Sequence, residues 1–373
     1  MPRYLYELPE WPAFRWDAAT LEAPLESVHV RQGRLFGRLR SLGISLQQEA
    51  KLATLTEEIL RTSEIEGEFL APRAVQSSLA VRLGIDLENQ TPGGPEVDGI
   101  VDLMLDATRG FEQPLTTDRL WGWHRLLLPP GTRHAARLRV GDWRHDEMGP
   151  MQVVSGAIGR ERVHYQAPAA DLVPAEMSRF LEWYNADAGQ DQVVRAGLAQ
   201  IWFVMIHPFD DGNGRIARSI SEMTLARSDR SPHRFYSMSA QIMRERKEYY
   251  RLLEEAGKGS LEITAWLSWF LGCLGRAIES ADALLELVLQ KARFWDAAGA
   301  STLNDRQRKV LNRLLDGFEG NLTTSKWAKL AKCSQDTAAR DIDELTQRGL
   351  LARNPGGGRS TSYRLVIPAE PEG

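Results

Sequence analysis

Residues 207–218 read His-Pro-Phe-Asp-Asp-Gly-Asn-Gly-Arg-Ile-Ala-Arg. The segment before them, residues 193–206, is almost wholly apolar, which is typical of a buried helix. After them, apolar side chains recur at helical spacing at Ile216, Ile220 and Met223. The pattern predicts a helix, then a loop that contains glycine, then a second helix.

The predicted loop has the composition of an anion site. The N-terminus of a helix presents free backbone N–H groups and the positive end of the helix dipole, and both attract a phosphate. Gly212 and Gly214 let the backbone approach the anion closely. Arg215 and Arg218 add fixed positive charge, three residues apart. The stretch therefore predicts a site for a polyphosphate.

His207 and Asp211 add the groups that phosphate chemistry needs. Asp211 can hold Mg²⁺, which prefers carboxylate and phosphate oxygens. His207 is expected to act as a general base with a pKa near its usual value, close to neutral pH. Taken singly, a histidine is more often structural, and Gly-Asn-Gly is more often only a turn. Their combination in one loop favours phosphate-centred transfer from a bound nucleotide.

Composition limits the class of protein. A chain of 373 residues is long enough for two or three domains, and its net charge of −4 argues against a protein that is basic throughout. Cys273 and Cys333 fit neither a metal-binding spacing nor a disulfide framework. The N-terminus has no apolar signal segment, and residues 263–274 are too short an apolar run to span a membrane. We expect a cytoplasmic protein that does not insert into membranes.

Three segments outside the loop carry informative patterns. Residues 1–43, which open with aromatic side chains, are expected to form an N-terminal arm or strand. Residues 45–67 have the apolar stripe of an amphipathic helix that ends at a glycine. Residues 151–154 and 162–165 have the pattern of two strands of a β-hairpin. The hairpin is equally compatible with a docking edge for an extended peptide and with no binding role.

The region from about residue 300 predicts three helices and a two-stranded wing, the plan of a winged helix-turn-helix domain. Residues 321–366 hold eight Lys/Arg and four Asp/Glu, a local excess of positive charge that suits DNA phosphates. The presumed recognition helix also carries the acidic residues of this region, which would repel phosphate: Asp336, Asp341, Asp343 and Glu344. DNA binding and protein docking both stay open.

Residues 207–218 resemble the signature of Fic domain proteins without a mismatch: His-Pro-Phe, a variable residue, Asp or Glu, Gly-Asn-Gly-Arg, two variable residues and Arg. The similarity spans about residues 96–295 and includes residues 139–144 and the hairpin, which is called the flap in that family. The resemblance implies a mainly α fold, a helical bundle with a β-hairpin flap. We therefore expect an N-terminal helical region over 1–95, a catalytic domain over 96–295 and the winged helix over 300–373.

Most studied Fic proteins transfer AMP from ATP to a hydroxyl side chain of a protein, so the resemblance implies a protein adenylyltransferase. His207 would deprotonate the target Ser, Thr or Tyr, and Asp211 would hold Mg²⁺ or Mn²⁺. The flap around residues 151–154 would dock the protein substrate by strand addition. The nucleotide would be held by the remaining site residues: Gly212, Asn213 and Gly214 as an anion hole, Arg215 on the phosphate chain, Arg218 on the γ-phosphate and Tyr250 at the adenosine.

Residues 62–67 fit the inhibitory helix of many Fic proteins: Ser or Thr, three residues, Glu, then Gly or Asn. The resemblance implies that Glu66, on a helix over about residues 45–67, inhibits the enzyme by occupying Arg218. Two alternatives stay open: removal of AMP from a protein, with Glu66 orienting water, and a DNA-binding regulator that senses nucleotide. Gly257 stands where relatives often have an Asn that meets adenine, which leaves the nucleotide preference open. Self-modification and a homodimer are further expectations from similar proteins.

Overall fold

The structure is a computed structural model. The chain divides into two compact units, residues 1–281 and 282–373. Most described residues are helical, which confirms the expected mainly α fold. The structure describes residues 3–40, 42–87, 90–131, 138–147, 149–155, 162–186, 189–299, 303–315, 320–355 and 361–367.

The helices of the first unit follow a short 3-10 helix at Leu5–Glu7. They are α1 (Ala18–Arg40), α2 (Ile44–Ile65), α3 (Pro72–Leu83), α4 (Gly94–Arg109), α5 (Thr117–Leu127), α6 (Val173–Asn185), α7 (Gln192–Ile206), α8 (Asn213–Asp229), α9 (Met238–Arg244), α10 (Arg246–Lys258) and α11 (Thr264–Ala298), the last of which continues past residue 281. Side-chain oxygens of Thr116 and Asp191 cap the N-termini of α5 and α7. No helix in the described part of the chain is both long and apolar enough to cross a membrane.

Helix α1 was not expected, and the prediction of an arm or strand is wrong for residues 18–40. Its buried apolar side chains fall on one face, at intervals of seven or four residues: Leu21, Val28, Leu35 and Leu39. An internal proline, Pro24, obscures this stripe in the sequence. The aromatic residues that prompted the prediction precede the helix, where Trp11 and Phe14 pack edge-on against Trp202.

Helices α7 and α8 form the centre of the first unit and flank the loop at residues 207–212. Nearly every residue of α7 is buried, from Val193 to Ile206. All residues of α8 from 215 to 226 are buried as well. The predicted order of helix, loop and helix is confirmed, and burial on both sides gives the loop a rigid support.

The predicted hairpin is present as β1 (Gln152–Ser155) and β2 (Arg162–Gln166), which pair antiparallel. Its turn, residues 156–161, lies outside the described residues. Tyr165 of β2 is buried, and its hydroxyl donates a 2.8 Å hydrogen bond to the carbonyl oxygen of Met205 in α7. That bond fixes the base of the hairpin to the end of the helix that leads into the loop.

The second unit begins within α11 and has a core around the fully buried side chains of Trp327, Ile342 and Leu345. Its other elements are α12 (Asp305–Leu315), α13 (Thr324–Ala331), α14 (Gln335–Gln347) and a two-stranded sheet of β3 (Leu351–Arg353) and β4 (Tyr363–Leu365). The turn at residues 356–360 lies outside the described residues. The elements occur in the predicted order, while their assignment as a winged helix stays a prediction.

Asp341 of α14 does not present its charge to solvent. It is 4% exposed, and its carboxylate accepts hydrogen bonds from the Arg306 guanidinium and from Trp327 Nε1. The expectation that Asp341 repels phosphate is therefore wrong, because its carboxylate is buried and paired with an arginine.

Candidate active site

His207 ends α7 in the left-handed conformation, with φ 51° and ψ 59°. Its Nδ1 lies 3.2 Å from the carbonyl oxygen of Val204, which can only accept, so Nδ1 carries the proton and Nε2 holds the lone pair. Arg144 holds this turn in place. Its Nε donates to the carbonyl of His207 over 2.8 Å, and its backbone N–H donates to that of Pro208 over 2.9 Å. The ring is thus fixed in a tautomer that leaves Nε2 able to accept a proton.

The pKa of His207 is lowered to about 4, chiefly because burial disfavours the imidazolium, and in part because the Arg144 guanidinium is near. The expectation of a pKa near the ordinary value is therefore wrong. With this pKa the imidazole is neutral throughout the neutral pH range. Neutral imidazole is the form that a general base needs.

The loop is shaped by contacts between its own residues. Phe209 is fully buried and stacks on His124, with 4.1 Å between the ring centroids. Asn213 Oδ1 accepts from the Phe209 N–H over 2.9 Å, and Asn213 Nδ2 donates to the Phe209 carbonyl over 2.7 Å. Gly212, with φ 80°, makes the turn into α8 without strain. Because the Asn213 side chain is used inside the loop, only its backbone is available to an anion.

Asp211 is the partly exposed carboxylate of the loop. Its Oδ1 accepts from the backbone N–H of Gly212 over 2.6 Å, and its Oδ2 lies 3.8 Å from Arg215 Nη2. Among the residues that the structure describes, no group of three or more His, Cys, Asp or Glu could hold a metal ion. A single carboxylate still fits Mg²⁺ when a substrate is bound, because Mg²⁺ is commonly held by one or two carboxylates together with phosphate oxygens and water.

All three nitrogens of the buried Arg218 guanidinium are engaged by the end of α2. Nε donates to Thr62 Oγ1 and Nη2 donates to the Thr62 carbonyl, each over 2.8 Å. Nη1 forms an ion pair with Glu66 Oε1, also at 2.8 Å. Burial lowers the pKa of the Arg218 guanidinium, but the Glu66 carboxylate, together with Tyr249 and Tyr250, raises it, and the net shift is upward. The structure thus brings Glu66 and Arg218 together, 152 residues apart in the sequence.

Arg215 is paired in a similar way with Glu68, a residue absent from the sequence-based prediction. Arg215 Nη1 forms an ion pair with Glu68 Oε2, and the Arg215 side chain is 4% exposed. Its Nε has no hydrogen-bond partner among the described residues. The Glu-Gly-Glu run at residues 66–68 shows a second acidic residue close to Glu66 in the sequence. That this residue, Glu68, pairs with Arg215 follows only from the packing of the end of α2 against α8.

A cavity of about 710 Å³ joins the loop to the flap. His207, Gly214 and Glu66 line one part of it, and Val153 and Val154 of β1 line another. The volume is in the range of pockets that hold small-molecule ligands. The cavity therefore brings together a base, the start of α8, the α2 carboxylate and a strand of the hairpin.

Tyr250 lines the same cavity and donates from its hydroxyl to the carbonyl of Ile65, at the end of α2, over 3.1 Å. Gly257, near the C-terminal end of α10, lies against Tyr165 of the flap. A Cβ at this position would stand 2.8 Å from the Tyr165 ring. Tyr165 therefore fills the space that a side chain at position 257 would need.

Residues 114–225 match a model of the Fic/DOC family, and residues 4–85 match a domain of unknown function, DUF4172. The chain carries a Fic domain. The matched range contains the loop at residues 207–218, all of α7 and most of α8, so the Fic domain that the loop indicated is confirmed.

Similar proteins include two curated protein adenylyltransferases Fic from insects. The one from Culex quinquefasciatus is 31% identical over 252 residues, which cover 65% of this chain and 44% of that protein. The one from Drosophila ananassae is 24% identical over 242 residues, covering 62% and 42%. The chain thus spans less than half the length of these relatives. A solved structure of a Fic family protein from Desulfovibrio desulfuricans G20 shares the fold, with a TM-score of 0.54 at 20% identity over 96% of this chain and 99% of that one.

Proposed function

We propose that this chain is an autoinhibited protein adenylyltransferase, which transfers AMP from ATP to a Ser, Thr or Tyr hydroxyl of a protein. The observation that supports it most is the shared wall of the 710 Å³ cavity, to which His207, Gly214, Glu66 and the flap all contribute. A base, an anion site and an edge for an extended peptide are the parts that this reaction needs. The similarity to protein adenylyltransferases Fic points to the same activity.

In the proposed reaction the target hydroxyl approaches His207 Nε2, which takes its proton as the hydroxyl oxygen bonds to the α-phosphorus. The bond from the α-phosphorus to the oxygen bridging the β-phosphate breaks, and pyrophosphate leaves. Backbone N–H groups of residues 212–214 stabilise charge on the α-phosphate, while Arg215 holds the phosphate chain. Tyr250 would contact the adenosine. Asp211 would hold Mg²⁺ or Mn²⁺, which neutralises phosphate charge when bound.

The protein substrate would extend the flap as a further strand. In the described part of the chain β1 pairs with β2 and with no other strand. An extended peptide beside β1 would make main-chain hydrogen bonds, which hold it independently of most of its side chains. Since Val153 and Val154 of β1 line the cavity with His207, a hydroxyl side chain on that peptide would point towards the base.

Glu66 would inhibit the reaction through Arg218. While Glu66 occupies Nη1, that nitrogen is not available to a γ-phosphate, and ATP held without this contact would present its α-phosphate out of line with the hydroxyl. A Cβ built on Gly214 would overlap Glu66 Oε1, so the Glu66 carboxylate reaches Arg218 only because position 214 is a glycine. Glu66 would therefore oppose ATP through the contact of Arg218 with the γ-phosphate.

ATP labelled in its α-phosphate tests the proposal. We expect Glu66→Gly to increase label transfer to protein, itself included, by at least about tenfold with Mg²⁺ or Mn²⁺, because it removes a charge-assisted contact that blocks the phosphate site. Adding His207→Ala to this variant should abolish the transfer. Label at the wild-type level from Glu66→Gly, with both metals and with lysate proteins as acceptors, would contradict the proposal.

Removal of AMP from a modified protein is a second candidate reaction. The Glu66 side chain is 30% exposed and borders the cavity with His207, and in this reaction it would orient a water molecule. Protein labelled by Glu66→Gly serves as the substrate for this test. Release of AMP by the wild type and not by Glu66→Gly would support hydrolysis, and no release by either would exclude it.

For the second unit we propose DNA as a ligand, which the burial of Asp341 favours because one acidic charge is withdrawn from α14. Lys329 and Arg340 are exposed on α13 and α14 and would contact phosphates. A DNA pull-down across a series of salt concentrations decides the matter. Binding that weakens with salt, and weakens further in Arg340→Gln, supports the proposal, whereas no binding or binding insensitive to salt contradicts it.

A further inference from the structure

Two arginines of α8 meet two carboxylates that come from one turn of the chain. Arg215 and Arg218 are three residues apart, and this spacing places them on the same face of α8. Glu66 and Glu68 stand on either side of Gly67, whose φ of 86° reverses the chain in the left-handed region. The result is two ion pairs side by side, Glu66 with Arg218 and Glu68 with Arg215.

The turn that carries the two carboxylates is fixed to the end of α2. The backbone N–H groups of Glu66 and Glu68 both donate to the carbonyl of Ser63, over 3.1 and 3.0 Å. Helix α2 is itself anchored at the buried Glu58, which accepts from Ser239 N–H over 2.9 Å, at the start of α9. The two carboxylates are therefore presented to α8 by one supported segment.

Arg215 has the features of an arginine that can exchange its partner. Its side chain is buried, and Nε has no hydrogen-bond partner among the described residues, so the guanidinium has capacity for another acceptor. The side chain of Glu68 is 37% exposed, and both residues line a smaller cavity of about 210 Å³ beside α4. A carboxylate with this exposure can return to water when a phosphate takes its place.

We propose that Glu68 is a second affinity-determining residue of the site, which occupies Arg215 as Glu66 occupies Arg218. This inference rests on the proposed function for the identity of the ligand. The two pairs differ in what they control. Arg218 would meet only the γ-phosphate, so Glu66 acts on ATP alone. Arg215 would meet the part of the phosphate chain that ADP and ATP share, so Glu68 lowers the affinity for both nucleotides.

Calorimetric titration of the full chain with ADP and with ATP, each with Mg²⁺, tests the proposal. Glu68→Gln keeps the size of the side chain and removes its charge. We expect it to bind ADP and ATP each about three- to fivefold more tightly than the wild type, the upper part of the range for a partly exposed ion pair. Glu64→Gln is the matched control, because Glu64 pairs with Arg61 in the same turn of α2. It should change neither dissociation constant by more than about twofold.

Wild-type affinity of Glu68→Gln for ADP, or no measurable ADP binding by any variant, overturns the proposal. If Glu68→Gln fails to fold, Glu68→Asp replaces it, and its shorter carboxylate should give an intermediate tightening for both nucleotides. Failure of this inference is distinguishable from failure of the proposed function. Label transfer by Glu66→Gly would persist in the first case and would be absent in the second.

Discussion

Arg218 and Arg234 are both buried arginines of the first unit, and each lies 2.8 Å from a glutamate oxygen. Their partners differ in exposure, since the side chain of Glu222, which pairs with Arg234, is 2% exposed and that of Glu66 is 30% exposed. The Arg234–Glu222 pair is closed inside the protein, whereas the Glu66 carboxylate that pairs with Arg218 borders the 710 Å³ cavity. A guanidinium can exchange a partner that reaches solvent for a ligand, but it cannot lose a buried partner without leaving a charge unpaired.

The origin of the partners adds to this contrast. Both carboxylates around Arg234, Glu222 and Asp229, come from α8, and Asp229 also accepts from the Tyr236 hydroxyl over 2.9 Å. Glu66 instead directly follows the last residue of α2, in a separate segment of the first unit. Two carboxylates on the same helix cannot move away from Arg234 unless that helix is disrupted, whereas a pair between two separate segments can open when one of them is displaced.

Arg234→Met should have the largest effect. Burial already raises the pKa of Glu222 to about 7, with Arg234 opposing that rise. Without Arg234, two buried carboxylates lack a counterion, so we expect the free energy of unfolding in urea to fall by about 3–5 kcal/mol. Arg251→Met, which removes an exposed arginine paired with Glu248, should leave the unfolding midpoint unchanged. If both variants behave alike, the buried pair is not a structural one.

Arg144→Lys should have the next largest effect, and Arg144 is a third buried arginine whose partner can be compared with those of Arg218 and Arg234. Arg144 is buried, its partner Asp146 is 30% exposed, and its guanidinium bonds the carbonyls of His207 and Pro168. Lysine cannot reproduce this fork of donors. In the Glu66→Gly background we expect label transfer to slow by about tenfold while the ATP dissociation constant changes less than about twofold. Equal losses of rate and of ATP affinity would show that Arg144 supports the fold rather than the position of His207.

A change of pH within the neutral range should alter the rate of label transfer by Glu66→Gly less than the Arg144 substitution does. Protonated His207 cannot accept a proton, and its pKa of about 4 keeps the ring neutral well below neutral pH. At saturating ATP the rate should stay level from about pH 8 to about pH 5.5 and fall only at lower pH, because the loss of the Glu66 carboxylate removes one of the charges that raise the pKa of His207. Circular dichroism at each pH separates this loss from acid unfolding. An acid limb with a midpoint near 6.5 would show that burial does not perturb this histidine.

Tyr250→Phe should have the smallest effect. The carbonyl of Ile65 accepts from Tyr250 and also from Arg246 Nη2, over 2.7 Å, so it stays paired when the hydroxyl is removed. We expect the loss of this tether on α2 to raise label transfer by the otherwise wild-type chain about two- to threefold, since one neutral hydrogen bond is worth about 1 kcal/mol or less. Slower transfer would show that Tyr250 serves the nucleotide more than it restrains α2.

Local patterns predicted much of this molecule. The helices around residues 207–218, the glycine loop and the hairpin all follow from periodicity and turn chemistry, and each is confirmed. Helix α1 was missed because Pro24 and the preceding aromatic residues outweighed its stripe of apolar residues. The resemblance in the loop extended the prediction to Glu66, whose short motif has little meaning alone.

The remaining features depend on contacts between distant segments. The pairing of Glu68 with Arg215 requires the turn at Gly67 to face α8, which no local pattern specifies. The lowered pKa of His207 comes from burial and from Arg144, 63 residues earlier in the chain. Asp341 is withdrawn from solvent by Arg306 of α12, on another helix of the second unit. Charges are visible in a sequence, but their partners are set by packing.

The proposed inhibition requires that Glu66 and the γ-phosphate of ATP compete for Arg218. The ratio of the dissociation constants for ATP and ADP tests this competition most directly. We propose to measure both dissociation constants, with Mg²⁺, for the wild type and for Glu66→Gly. Glu66→Gly should bind ATP about tenfold more tightly than the wild type and ADP with little change, because only ATP carries the phosphate that Arg218 would meet. The same ratio of ATP to ADP affinity in both proteins would contradict the account, because Glu66 and the γ-phosphate would then not compete for Arg218.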